Sequence, residues 1–255
     1  MKHYSAEYRE WGEGPPLVLV PGLAGGFELL GALARALADG FRVISYQLRG
    51  EDDCFALRRR FGLADLANDL AEFLDWHGLE RPAVFGVSFG GAIALELAVR
   101  RPGRIAALAA QGVATRFESN LIQQVAASIL SGIPLPADNP FVNQFFNLFF
   151  GARQAPGPLF EFVTRQCWRT DQSVMAHRFR LMEQFDLAGR LDRLAVPVLF
   201  LAGDRDLLVS ARSLQTLAGQ LPRCRVVRLV DCGHLACVTH PCRVADEVRR
   251  FLQTC

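Results

Sequence analysis

The sequence predicts an α/β fold: a mostly parallel central sheet flanked by helices, with a helical insertion late in the chain. Three observations carry this. Short apolar runs alternate with helical patterns along most of the 255 residues, as in the strand–helix–strand units that build a parallel sheet. Most of those runs are near-continuously hydrophobic, as strands covered on both faces are. From about residue 114 to residue 194 the alternation stops and gives way to helical pieces and loops rich in Pro, Asn and Gly.

In chain order, the expected strands are Leu17–Val20, Arg42–Tyr46, Ala83–Val87, Ile105–Ala110, Val198–Ala202 and Val226–Val230. Between them, Leu66, Leu70, Phe73 and Leu74 recur at i, i+4, i+7 and i+8 and mark an amphipathic helix. Ala92–Val99 is a strong helix former that ends before Pro102-Gly103. Val244, Val248, Phe251 and Leu252 repeat the helical spacing near the C-terminus. The exceptional stretch holds two breakers, Ile133-Pro134-Leu135-Pro136 and Ala155-Pro156-Gly157-Pro158. Between them, Phe141 to Phe150 carries five phenylalanines in ten residues. Any one of these rings is adequately explained as glue to the body, but together they favour an apolar cleft over a charged one. The expected organisation is a core of residues 1–113 and 195–255 with a helical cap over residues 114–194.

Composition limits the partners. Half the residues are hydrophobic, a fifth are charged, and formal net charge is +2, so bulk electrostatics give no reason to expect nucleic acid or an anionic membrane. No apolar run approaches the roughly 20 residues of a membrane span. The first ten residues carry acids and no apolar stretch, so no secretory signal is expected. With an odd count of seven cysteines, a reducing cytoplasm is the expected setting. Cys232, His234, Cys237, His240 and Cys242 crowd into eleven residues. Their spacing does not match paired zinc ligands, so free thiols are expected, with no metal and no cofactor. Oligomeric state is not readable from the chain.

The chemistry centres on Ser88. The run Val84-Phe85-Gly86-Val87-Ser88-Phe89-Gly90-Gly91-Ala92 is an apolar strand breaking into G-x-S-x-G and then into a helix. A strained turn there lifts a serine hydroxyl clear of its own backbone, and the flanking glycines leave room for the crossing. The N–H of Phe89 then falls at a helix start, where backbone donors are unpaired and suit an oxyanion. The pattern alone arises by chance about one time in fifteen in such a chain, so context must confirm it. The bland alternative is a Gly-rich turn whose serine caps a helix.

A serine nucleophile needs a base, and the base needs an orienting acid. Of the five histidines, His3 is terminal, His77 ends a helix, His177 lies in the insertion, and His240 precedes Pro241. His234 follows the strand Val226–Val230 in Asp231-Cys232-Gly233-His234, on the kind of loop that carries catalysis in open α/β sheets. Strand Val198–Ala202 ends in Gly203-Asp204-Arg205-Asp206, which offers two aspartates, each a candidate for the acid or for a cap of the next helix.

With these residues assembled, the chain resembles the α/β-hydrolase superfamily over nearly its whole length. Gly86–Gly90 looks like the family's elbow, and Gly203–Asp206 like its G-x-x-D acid turn, which selects Asp206. Gly233-His234 followed by His240-Pro241 resembles the catalytic histidine and the helix behind it. Trp168–Leu194, with Thr170-Asp171 and Phe185-Asp186-Leu187, is similar to the end of the cap. The order Ser88, Asp206, His234 is that of this fold. Where relatives often read H-G-x-x-G, this chain has Pro21-Gly22-Leu23-Ala24-Gly25-Gly26; the match implies Leu23 N–H as the second oxyanion donor, with Ala24 one position off. Leu48-Arg49-Gly50-Glu51-Asp52-Asp53 departs from the R-G-x-G-x-S of relatives, and its acids are expected in a solvated loop.

The resemblance implies a serine hydrolase that cleaves a small, largely apolar ester, lactone or related acyl substrate through an acyl-enzyme. A serine at the elbow disfavours the dehalogenase and epoxide hydrolase branches. Carbon–carbon bond hydrolysis, and an aminopeptidase using Glu118, Asp138, Glu161 or Asp171, are alternatives within the fold. A non-hydrolytic receptor or pseudoenzyme is the alternative outside catalysis.

Overall fold

Successive residues of a strand point to opposite faces, so a strand that is apolar throughout must be covered on both. The computed structural model, which describes residues 5–51, 57–132, 136, 139, 147–151, 157–209, 214, 219, 221 and 223–255, has this arrangement. Its strands are β1 (Tyr8–Trp11), β2 (Pro16–Val20), β3 (Arg42–Tyr46), β4 (Ala83–Val87), β5 (Ala107–Gln111), β6 (Val198–Gly203) and β7 (Cys224–Leu229). They form one sheet in the order β1-β3-β2-β4-β5-β6-β7. Only β1 runs antiparallel, against β3; the other pairings are parallel. The fold is that of the α/β hydrolases.

Alternate residues of the same strands feed two separate cores. Val18, Ile44, Val84, Leu108 and Phe200 pack on one face, beneath α2 (Leu63–Trp76) and α3 (Phe89–Arg100). Leu17, Val43, Phe85, Ala109 and Leu199 pack on the other. There α1 (Gly31–Leu37) lies against the C-terminal helix Pro241–Leu252.

Three strand readings shift, the last strand starting at Cys224, two residues before the expected Val226, and ending at Leu229. The sequence gives no signal for β1, whose Tyr8-Arg9-Glu10-Trp11 is almost wholly exposed at the sheet edge. There is no buried face to impose an apolar period on it. The fifth strand starts at Ala107 and not at Ile105, because the preceding turn is held by Arg104, whose Nη1 donates to the Leu79 carbonyl at 2.7 Å.

Between β5 and β6, the described residues contain α4 (Leu121–Ser131), α5 (Gly157–Cys167), α6 (Gln172–Glu183) and a 3-10 turn, Ala188–Arg193. The two ends of this segment are tied together. Phe117 N–H donates to the Phe185 carbonyl at 2.9 Å, and Leu187 N–H to Thr115 at 2.8 Å. Of the phenylalanine run, Phe149 and Phe150 are described, while Phe141, Phe145 and Phe146 lie outside the described residues, as do Pro134 and Pro156. After β7 come α7 (Ala236–Thr239) and α8 (Pro241–Leu252). Among the described residues no helix is long and apolar enough to cross a membrane.

Candidate active site

A serine at φ 51° and ψ −115° stands at the junction of β4 and α3. That backbone is rare for any residue with a Cβ, and its strain is held by the close packing around it. A Cβ on Gly86 would sit 2.6 Å from the Gly90 carbonyl oxygen. One on Gly90 would sit 2.2 Å from the Val20 carbonyl oxygen. The two glycines of G-x-S-x-G therefore permit the crossing of β2, β4 and α3 that raises Ser88. Its neighbour Phe89 opens α3, so the Phe89 N–H has no partner within the helix. The loop after β2 runs close by, and a Cβ on Gly22 would lie 4.0 Å from Ser88 Cβ. In that loop Gly25 N–H donates to the Gly22 carbonyl at 2.9 Å, closing a tight turn around Leu23 and Ala24.

Asp206 lies just beyond β6 and His234 beyond β7, both at the carboxyl ends of their strands. His234 Nδ1 and Asp206 Oδ2 are 2.8 Å apart, with the Asp206 side chain 1% exposed. Asp206 Oδ1 accepts the N–H groups of Leu208 (2.8 Å) and Val209 (3.0 Å), which fixes the carboxylate independently of the imidazole. Asp204, the other aspartate of that turn, faces Arg228 at 3.4 Å instead. Gly233 precedes the histidine because a Cβ there would sit 2.5 Å from Gly151 N.

Ser88, Asp206, His234 and Leu23 line one cavity of about 440 Å³. Its walls are mainly apolar, including Leu29, Ile129, Leu130, Trp168, Met175 and Phe179. Among the described residues no hydrogen bond joins Ser88 to His234. Among the described residues, the only charged side chains on the walls besides Asp206 and His234 are Arg116 and Glu118, both exposed. Two thiols, Cys167 and Cys237, also line it, and burial pushes each up to about 12, so both stay protonated. They are inert beside a serine.

The other described histidines are placed elsewhere. His177 Nε2 meets the Phe61 carbonyl at 2.6 Å, His240 Nδ1 lies 2.8 Å from Thr239 Oγ1, and His77 packs on Tyr8 and Trp76. Of the acids considered for binding an amine, Glu118 is exposed on the cavity wall and the other described ones stand apart from it. Asp171 caps α6 through Ser173 N–H at 2.8 Å, Glu161 is exposed, and Asp138 lies outside the described residues. No group of three or more His, Cys, Asp or Glu among the described residues is placed to hold a metal.

Three site residues were not read from the sequence. Gln111, fully buried at the end of β5, donates Nε2 to the His234 carbonyl at 2.6 Å and accepts the Cys237 N–H at 2.8 Å. An amide closing an otherwise apolar strand was the available signal. Arg178 and Thr170 reach the Leu23–Ala24 loop from the β5–β6 segment; Thr170 stood out only as part of the Thr170-Asp171 pair that resembles the end of the cap, and nothing in its local sequence marks Arg178. Glu51 reverses an expectation. It is not solvated but buried, with Arg178 Nη2 2.9 Å away; Asp52 and Asp53 lie outside the described residues. Burial pushes the Glu51 carboxyl up, and the Arg178 charge opposes that shift.

Residues 15–241 match a family model described as alpha/beta hydrolase fold. Among curated proteins, the "Magnesium-chelatase 30 kDa subunit" of Rhodobacter capsulatus is 30% identical over 240 residues, covering 88% of this chain and 81% of that one. The "Putative carbamate hydrolase RutD" of Cronobacter turicensis is 28% identical over 243 residues, covering 90% and 87%. Among solved structures, a thermophilic esterase from Thermogutta terrifontis superposes with a TM-score of 0.84 at 22% identity, covering 98% and 93%. The enol-lactonase of Burkholderia xenovorans LB400 gives 0.84 at 22%, covering 97% and 96%. At such identity these two superpositions speak to the fold alone.

Proposed function

The chain belongs to the α/β-hydrolase fold family, and from that premise we propose that it is a serine hydrolase acting on a small, uncharged, largely apolar ester, lactone or related acyl substrate. The observation that carries this reading is the Asp206–His234 pair at 2.8 Å, opening on the cavity that holds Ser88 at its strained turn.

In this reading Ser88 Oγ attacks the acyl carbonyl carbon and its proton passes to His234 Nε2. Asp206 holds Nδ1–H, so that Nε2 is the free base, and stabilises the imidazolium that forms. The carbonyl oxygen becomes an oxyanion facing the N–H groups of Phe89 and Leu23. As the carbonyl reforms, the leaving group takes the proton from Nε2 and an acyl-Ser88 ester remains. Water then repeats the sequence and releases the acid. The Ser88–His234 contact is one that enzymes of this kind commonly tighten only as substrate arrives.

The cavity walls narrow the substrate. A carboxylate or ammonium on the substrate would be desolvated against apolar side chains with no buried counter-charge among the described residues. This speaks against a substrate that carries a free carboxylate and against an amino terminus; a neutral carbamate ester, of the class in the name of the 28%-identical relative, is not disfavoured by it. It favours a neutral molecule that fills much of about 440 Å³. The β5–β6 segment then serves as the cap over this cleft.

Ser88→Ala is expected to abolish turnover of p-nitrophenyl esters while leaving the thermal transition in place. A panel of acyl lengths, with lactones and thioesters included, ranks the acyl groups. Undiminished turnover in Ser88→Ala would sink the assignment. A second reading is favoured by the chelatase-subunit name of the 30%-identical relative: the cavity binds an apolar ligand without turning it over. A fluorophosphonate probe separates the two, because only an activated Ser88 gains the phosphonyl mass.

A further inference from the structure

Arg178, on α6, is completely buried, yet it is not part of the cavity wall. Its guanidinium reaches behind the wall to the loop that carries Leu23. Nη1 donates to the Leu23 carbonyl at 2.9 Å, while Nη2 donates to the Arg49 carbonyl at 2.8 Å and to Glu51 Oε1 at 2.9 Å. The other Glu51 oxygen accepts the Gly26 N–H at 3.3 Å. Thr170, just before α6, donates Oγ1 to the Ala24 carbonyl at 2.5 Å.

Together these bonds account for every peptide plane of the loop. The plane between Gly22 and Leu23 is held by the Gly25 N–H on the Gly22 carbonyl. The next is held by Arg178 on Leu23, the next by Thr170 on Ala24, and the last by Glu51 on Gly26 N–H. A trans peptide is planar, so fixing a carbonyl fixes the N–H on the opposite edge. The loop needs such fixing. Gly25 and Gly26 sit at φ 66° and 72°, and glycines left to themselves wander widely. A stiffer residue at Gly25 would be strained at φ 66° and would displace the Glu51 carboxylate, whose carbon lies 2.1 Å from where its Cβ would stand.

We propose that Arg178, with Glu51 and Thr170, is the positioning device that aims the N–H edges of this loop at the oxyanion: the Arg178 bond fixes the plane that carries the Ala24 N–H and, through the shared Leu23 Cα, steadies the adjoining plane that carries the Leu23 N–H; this rests on the serine hydrolase reading above. A buried ion pair is an expensive way to fill space, and apolar side chains of similar volume do that better. The guanidinium suits the task because its planar fork serves three acceptors in different directions, which an ammonium point charge does not do with fixed geometry. Through Arg178 and Thr170 the β5–β6 segment thereby takes part in catalysis as well as lining the cleft.

The test uses the full chain and p-nitrophenyl butyrate. Arg178→Met with Glu51→Gln removes both charges, so that neither is left buried alone. Thr170→Val removes one restraint while keeping shape, and Arg178→Lys keeps the charge without the fork. Loss of a single oxyanion donor costs about 10²–10³ in kcat, so the double variant is expected to lose about 10²-fold, Arg178→Lys about 10-fold and Thr170→Val about 5-fold, with KM within about threefold. A boronic acid that forms a tetrahedral adduct on Ser88 is expected to lose affinity by the same factor as kcat/KM, a readout that mere loosening of the fold would not move. Folded variants with wild-type kcat and wild-type boronate affinity overturn the proposal, whatever their melting temperatures; should the double variant not fold, Thr170→Val and Arg178→Lys decide. Wild type and Ser88→Ala run alongside. A wild type that neither turns over ester nor takes a fluorophosphonate overturns the hydrolase reading and this proposal with it. An active wild type with equally active variants overturns this proposal alone.

Discussion

Gly112→Ala asks whether the imidazole of His234 has any freedom to move. Gly112 follows β5 at φ 66°, and a Cβ there would stand 2.8 Å from His234 Cε1, 3.0 Å from Nδ1 and 3.6 Å from Asp206 Oδ2. An ordinary contact begins near 3.4 Å, so the ring must withdraw by roughly 0.6 Å. Asp206 does not follow, because the Leu208 and Val209 N–H groups hold its other oxygen. The His234 backbone does not follow either, because Gln111 holds its carbonyl. The 2.8 Å Asp206–His234 bond therefore stretches or tilts. A displacement near 1 Å at a reacting group costs on the order of 10²-fold, so kcat/KM for a p-nitrophenyl ester is expected to fall by about 10- to 10²-fold. The left-handed backbone adds about 1–2 kcal/mol against alanine, which for a chain of this size lowers the melting temperature by roughly 2–8 °C. Initial rates at 25 °C thus report on a folded variant. Gly189→Ala is the control, since a Cβ there meets nothing within 4 Å, and it is expected to be silent in both assays. A Gly112→Ala enzyme with kcat/KM within about twofold of wild type would refute the reasoning, because the site would then tolerate the shift that its packing forbids.

Gln111→Leu leaves the His234 carbonyl and the Cys237 N–H without partners in a dry setting, at about 1–3 kcal/mol each. The expected outcome is a melting temperature lower by roughly 5–15 °C together with reduced kcat; a variant that melts like wild type removes Gln111 from the design of the site. His77→Phe tests a pH effect at the sheet edge. Burial holds the His77 imidazole below its ordinary value, with Glu10 at 3.5 Å opposing the shift. The folded chain then takes up this proton less readily than the unfolded one, so stability is flat above about pH 6.5 and is lost as pH falls below it. Denaturant midpoints at pH 7.5 and pH 5 are expected to converge more closely in His77→Phe than in wild type, and equal acid-side losses in both would contradict this.

Five of the six strands read from the sequence were legible because they are apolar on both faces, a pattern that survives without knowledge of its neighbours; β7, with Arg225 and Arg228 exposed, was legible only from its Val226-Val227 and Leu229-Val230 pairs. β1 was not, since Arg9 and Glu10 spend their side chains on Glu28 and Arg42 across the surface and nothing periodic remains. Ser88, Asp206 and His234 were legible for a topological reason: each follows a recognisable strand at its carboxyl end. Their distances were not, because proximity between residues 28 or more positions apart is a property of the sheet order. Glu51 shows the limit most plainly. Glu51-Asp52-Asp53 reads as a solvated acid run, and the cation that buries the first of them comes 127 residues later. Arg178 likewise looks like one more surface arginine on a polar helix until its carbonyl acceptors, 155 and 129 positions away, are known.

The β5–β6 segment is unevenly bound to the site, and this divides its residues by the kind of change they tolerate. Thr170 and Arg178 hold the oxyanion loop. At the other side, Asn120 Nδ2 donates to the Leu207 carbonyl at 2.9 Å and Gln123 Nε2 to Leu208 at 3.2 Å, which anchors the start of α4 to the turn that presents Asp206. Thr170 and Arg178 stand off the cavity wall, so on the proposed reading a substitution there should alter kcat for every acyl group alike; Asn120 and Gln123 also line the cavity, so a substitution there should alter acyl preference as well. Ala126, Ile129 and Leu130 lie further along α4 on the cavity wall, and their side chains hold neither loop. Changes there alter the volume offered to the acyl chain and leave the oxyanion donors and the Asp206 carboxylate in place. On the proposed reading, the last two turns of α4 therefore bear on acyl volume alone, while its start both lines the cavity and anchors the Asp206 turn.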